Sequence, residues 1–116
     1  MEEIIGLLFH ARNITHIEHL RTKSYAQHKA LGSFYENVID LADNLAEAYQ
    51  GEKGLMGEIP IYDTPPMGDV AQFLEAQVKM IERMRTKINC CTAIQNIIDE
   101  IVALYLSTIY KLRNLS

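Results

Sequence analysis

The sequence predicts an all-α four-helix bundle with one long crossover between helices two and three. Three observations carry this expectation. Apolar residues recur at helical spacing through four segments. One segment, 51–68, collects four of the six glycines and all three prolines. No stretch of useful length alternates apolar and polar residues as a half-buried strand would.

The first helix is expected over about residues 2–20, with Ile4, Leu7, Leu8, Ala11, Ile14 and Ile17 as its apolar positions. The stretch RTKS (21–24) breaks it, and Ser24 or Thr22 can cap the next helix. The second is expected over about residues 25–50, with Leu31, Phe34, Val38, Leu41, Ala42, Leu45 and Tyr49 on one face and Gly51 as its stop. The third begins at Asp69, a good N-cap residue, and runs to about residue 86 with Val70, Phe73, Leu74, Gln77, Met80, Ile81 and Met84 on one side. The fourth covers about residues 88–112, with a wide apolar face from Ile94 to Leu112. One domain spanning 1–116 is expected, since the chain is long enough for one core.

The irregular segment has a geometric use. A helix of about 26 residues is about 39 Å long. An extended chain of about 18 residues reaches up to about 60 Å. The segment can therefore return along the whole bundle and start helix three parallel to helix two. One long crossover of this kind marks the ferritin-like type of bundle.

Composition excludes several function classes. The net charge is −4 with no basic run, which argues against non-specific phosphate binding. Lys79, Arg83, Arg85 and Lys87 form only a modest cluster, read as a solvated face. No apolar run approaches the roughly 20 residues of a membrane span. The opening MEEII gives no basic arm and no expected signal peptide. Cys90 and Cys91 are adjacent, and on a helix they would point about 100° apart, so no disulfide between them is expected. These features favour a reducing, cytoplasmic setting. No G-x-S-x-G, H-E-x-x-H or phosphate-cradling glycine loop is present.

Chemistry-bearing residues concentrate between His16 and Glu47. Three of the four histidines, His16, His19 and His28, lie there together with Glu36, Asp40, Asp43 and Glu47. Imidazole and carboxylate together suit iron, zinc and manganese. His16 and His19 are three apart and share a face. On helix two the acids fall roughly 60–120° round from His28, on the flank opposite the apolar stripe. Tyr35 and Ile39 lie between the two faces. The plain alternative is a solvated acidic face of the kind any surface helix shows. His10 lies off the shared face and is read as structural or exposed. Tyr35 is read as a packing residue, with an electron donor beside a bound metal as the alternative.

The spacing His16, His28, Asp43, Glu47, with Phe34–Tyr35 and the closing run Asp43-x-Leu-Ala-Glu47, resembles the Dps family of mini-ferritins. It is also similar to short ferritin-like proteins encoded by tailed bacteriophages. The resemblance implies an iron site shared between two-fold related subunits, with histidines from one subunit and Asp43 and Glu47 from its mate. His28, Asp43 and Glu47 match the pattern, and the first histidine is either His16 or His19. Gly32 stands where the family has an acidic ligand, and Glu36 is the nearest substitute. The chain has no lysine-rich tail, so no DNA binding is expected. The expectations are a homo-oligomer, at least a dimer, that binds iron, or zinc or manganese, with Fe(II) oxidation as its activity. The alternative expectation is a non-catalytic helical assembly or adaptor protein without a working metal centre.

Overall fold

The structure is a computed structural model that describes residues 1–115. Four helices carry the fold, α1 (Glu2–Arg21), α2 (Tyr25–Lys53), α3 (Val70–Arg85) and α4 (Thr92–Asn114), and no strand occurs among the described residues. They pack into a body of 44 × 25 × 21 Å. α1 lies against α2 and α3, and α4 lies against α2 and α3. α2 and α3 are not neighbours among the described residues.

The helix limits follow local chemistry. The Ser24 side chain accepts the Gln27 N–H and starts α2. Asp69 and Gln72 form a reciprocal capping box at the head of α3. Gly51 does not stop α2, because a helical glycine costs only about 1 kcal/mol against alanine. The helix runs on to Lys53 and ends at Gly54, whose φ of 92° suits a residue without a side chain. Cys91 precedes α4 and gives its N–H to the Glu52 carboxylate at the end of α2.

The core is built from the expected stripes. Ile4, Leu8, Leu31, Phe34, Leu45, Leu74, Ile81, Ile98 and Tyr105 are fully buried. The Tyr105 ring meets Phe34 edge-on at 5.0 Å. Its phenol donates to Gln77 Oε1 at 2.6 Å, and Gln77 Nε2 donates to the Leu7 carbonyl at 3.1 Å. α4, α3 and α1 are thus tied by one buried polar chain. Burial pushes the Tyr105 phenol far above its ordinary range, so it stays protonated and donating. Tyr105→Phe strands the Gln77 oxygen and is expected to cost about 1–2 kcal/mol in urea unfolding.

Ile17 departs from the expected core list and is half exposed. Ala11, Ile14 and Ile17 are three residues apart, and each step falls about 60° short of a full turn. Two such steps carry Ile17 past the edge of the buried face.

The segment between α2 and α3 lies against α1. Adding a Cβ to Gly6 would place it 2.6 Å from the Pro60 carbonyl oxygen and 3.0 Å from the Tyr62 ring. The Glu2 carboxylate accepts the Gly57 N–H at 2.7 Å. The Glu2 carboxyl is held below its ordinary value of 4.5, first by its own backbone N–H and then by that of Gly57. A lowered carboxyl pKa stabilises the fold above the unfolded value, and the stabilisation is lost as pH falls through the folded value. Glu2→Gln is therefore expected to flatten the loss of stability below pH 4.5, read by urea unfolding at several pH values.

Candidate functional site

Of the expected residues, His16, His19 and His28 gather where α1 and α2 approach each other beside the short 22–24 turn. Gly32 sets the approach. A Cβ there would lie 3.0 Å from His19 Cε1 and 3.2 Å from its Nδ1, so the absent side chain is the space the imidazole fills.

His19 and His28 then clasp one another. Their rings stack with centroids 3.7 Å apart and planes 19° from parallel. His19 Nδ1 lies 2.6 Å from the His28 carbonyl, and His28 Nδ1 lies 2.8 Å from the His19 carbonyl. A carbonyl only accepts, so each Nδ1 carries its proton and donates. In each neutral ring Nε2 is then the atom with a lone pair.

The rings continue as a row. His16 stacks on Tyr35 at 4.2 Å, and His19 meets Tyr35 edge-on at 5.3 Å. The Arg12 guanidinium sits 5.5 Å from the centre of the Tyr35 ring. At the other end Tyr25 lies 6.4 Å from His28, with the Lys29 ammonium 5.9 Å from the Tyr25 ring centre. Arg12 went unread in the sequence, although its spacing of four to His16 puts both on one side of α1. His10 is apart from this row, buried and edge-on to Phe73 at 5.3 Å.

The acids stand elsewhere. Glu36, Asp43 and Glu47 are exposed on the outer side of α2, as is Asp40. Among the described residues no three His, Cys, Asp or Glu side chains gather into a group that could hold a metal ion. The clasp itself is unsuited to chelation. A metal lies close to the plane of each imidazole it binds, at about 2.0–2.1 Å from nitrogen. Nearly parallel rings 3.7 Å apart have no common in-plane point. Within one copy the acids of α2 therefore do not meet the histidines, and the iron centre that the resemblance implied draws the two sets from different copies.

The surface around the row is apolar and basic. Ile17, Leu20 and Tyr25 are 50%, 72% and 73% exposed, and Phe9 is exposed further along α1. From His19 to Tyr35 there is no acidic residue, while Arg21, Lys23 and Lys29 are present. Leu106 and Tyr110 on α4 form a second exposed apolar spot. No helix is long and apolar enough to cross a membrane among the described residues.

The comparisons with known proteins correct the mini-ferritin resemblance. The model of a family of unknown function, DUF5856, matches residues 19–112. A protein of Enterobacteria phage T4, described as an uncharacterized 14.6 kDa protein in the mobD-ri intergenic region, is 33% identical over 116 residues. The match covers 96% of this chain and 86% of that protein. No solved structure matches. Membership of the Dps family is overturned by this assignment, and Gly32, where that family has an acidic ligand, is packed under the His19 ring instead. The chain belongs to the family of unknown function DUF5856.

Proposed function

We propose that this chain is a non-catalytic helical assembly protein, at least dimeric, whose working surface is the outer face of α1 and α2. One observation carries the reading. Ile17, Leu20 and Tyr25 stand in solvent beside a ring row that is already locked by its own hydrogen bonds. Three large apolar side chains grouped on one face favour contact with another surface. The locked rings make that face rigid, which lowers the ordering cost of contact. Neither DNA nor a membrane is part of this reading, and a cytoplasmic setting is.

The ferritin-like path of the crossover, with α3 parallel to α2, belongs to the same proposal. What supports it is that α1 touches both α2 and α3 while those two are not neighbours.

Light scattering on the eluting peak of a sizing column tests the reading. The expected mass is a multiple of 13.2 kDa that falls to one copy in Ile17→Glu with Leu20→Glu. A single-copy mass for the unaltered chain at all concentrations would end it.

A second reading keeps a metal between copies. It is favoured by the bare Nε2 atoms of His19 and His28, the state that a histidine ligand adopts when its Nδ1–H is held by a carbonyl. In this reading one ring of the His19–His28 pair, with His16, of one copy and Asp43 and Glu47 of its mate, with Glu36 at the margin, would hold iron, zinc or manganese. Its test is thermal melting with Zn(II), Mn(II) or, without oxygen, Fe(II). Metal at 100 times its Kd would stabilise the fold by about 2.7 kcal/mol. The assembly reading expects no rise in Tm, and a rise that His28→Ala removes would favour the metal.

A further inference from the structure

α2 carries its charges in an unusual order. Its solvent-facing strip contains Tyr25 and Lys29 near the start and Glu36, Asp40, Asp43 and Glu47 further on. Between Glu36 and Glu52 there is no basic residue. The first turn of α2 holds no acid, and Lys53 is the one base of its last turn. A helix is positive at its N-terminus and negative at its C-terminus. Side-chain charges usually oppose that dipole, and on α2 they add to it.

Among the described residues none of Glu36, Asp40, Asp43 and Glu47 takes part in an ion pair, and neither does Lys23 or Lys29. Arg21 does pair, with Glu18 at 3.4 Å. All six unpaired groups are exposed.

We propose that the partner of the α1–α2 face is a second copy of this chain, with the two α2 helices antiparallel across a two-fold axis near Tyr35. This rests on the assembly reading and specifies its partner and register. In that register Lys23 and Lys29 of each copy face Asp43 and Glu47 of the other. The lysine end of each α2 and the acidic end of the other are then complementary, as are the macrodipoles, and twice over, because a two-fold contact is isologous; Glu36, next to the axis, meets its own copy. A parallel pair would set acid against acid and base against base. Tyr25 and Leu20 of each tip come to lie over the acidic half of the mate, where Ala46 and Ile39 are half-buried and offer apolar surface. Lys23 and Lys29 offset Asp43 and Glu47, two of the four acids of the mate, and the contact draws on no metal.

Complementary charge reversal tests this with the full chain, without and with a chelator. One variant carries Lys23→Glu and Lys29→Glu, and the other carries Asp43→Lys and Glu47→Lys. Circular dichroism confirms that each folds. Sedimentation velocity reads the association of each alone and of an equal mixture. Each alone is expected to associate at least about tenfold more weakly than the unaltered chain, since like charges directly opposed cost several kcal/mol. The mixture is expected to regain affinity within about threefold, because antiparallel pairing matches every reversed charge in a mixed dimer. Unaltered protein that is monomeric throughout overturns this register together with the assembly reading. Dimers that form but respond to neither variant, or a mixture no tighter than its components, overturn the register and leave the assembly reading standing. Dissociation of the unaltered dimer by chelator overturns the metal-free contact.

Discussion

Replacing Phe34 by alanine is expected to remove about 3–5 kcal/mol of stability, the largest single effect on this fold. Phe34 is fully buried at the meeting of α2 and α4 and takes the edge of Tyr105 at 5.0 Å and 84°. Truncation removes the transfer free energy of the ring and leaves a cavity. It also unseats Tyr105, whose phenol holds Gln77 and through it the Leu7 carbonyl. The substitution therefore loosens three helices rather than one. Small domains are stable by about 5–15 kcal/mol, so the loss is a large share of the total. Urea unfolding followed by circular dichroism reads it as a lower midpoint at nearly unchanged slope. A loss below about 1 kcal/mol would mean that the Phe34 site closes over the cavity or is not core.

Gly6→Val is expected to rank second, at about 3 kcal/mol, near the top of the usual range for overpacking. On helix propensity alone valine would beat glycine. The seam decides otherwise. The first added carbon would lie 2.6 Å from a backbone oxygen of Pro60, and a backbone atom cannot swing aside as a side-chain tip can. Either the segment between α2 and α3 lifts from α1 or α1 shifts in the core. The first outcome exposes Tyr62 and His10, so the loss of stability should come with increased proteolysis within 55–68. Gly51→Ala is the control. A Cβ at Gly51 meets nothing within 4 Å, and the change is expected to be neutral or slightly stabilising.

The helices were legible because their signals are local. Ser24 and Asp69 cap the helices they were expected to cap, and Leu31, Phe34, Val38 and Leu45 are buried as their spacing demands. The end of α2 was less legible, since Gly51 and Gly54 are both plausible stops and propensity separates them weakly. The histidine cluster was legible as a cluster, and its chemistry was not. Spacing put His16, His19 and His28 near each other, but the reciprocal bonds of His19 and His28 depend on how closely α1 and α2 approach. That distance is fixed by the missing side chain at Gly32, a position that resembled a lost ligand in sequence. Gly6 was silent for the same reason. Its role exists only against Pro60 and Tyr62, more than fifty positions away in the chain.

In the proposed assembly the α1–α2 face joins this chain to other copies of itself. Isotope-filtered NMR on a mixture of labelled and unlabelled protein, with a chelator present, addresses it most directly, because only contacts between copies give signals. Intermolecular contacts are expected from Ile17, Leu20 and Tyr25. Contacts confined to Leu106 and Tyr110 on α4, or none at millimolar concentration, would contradict it.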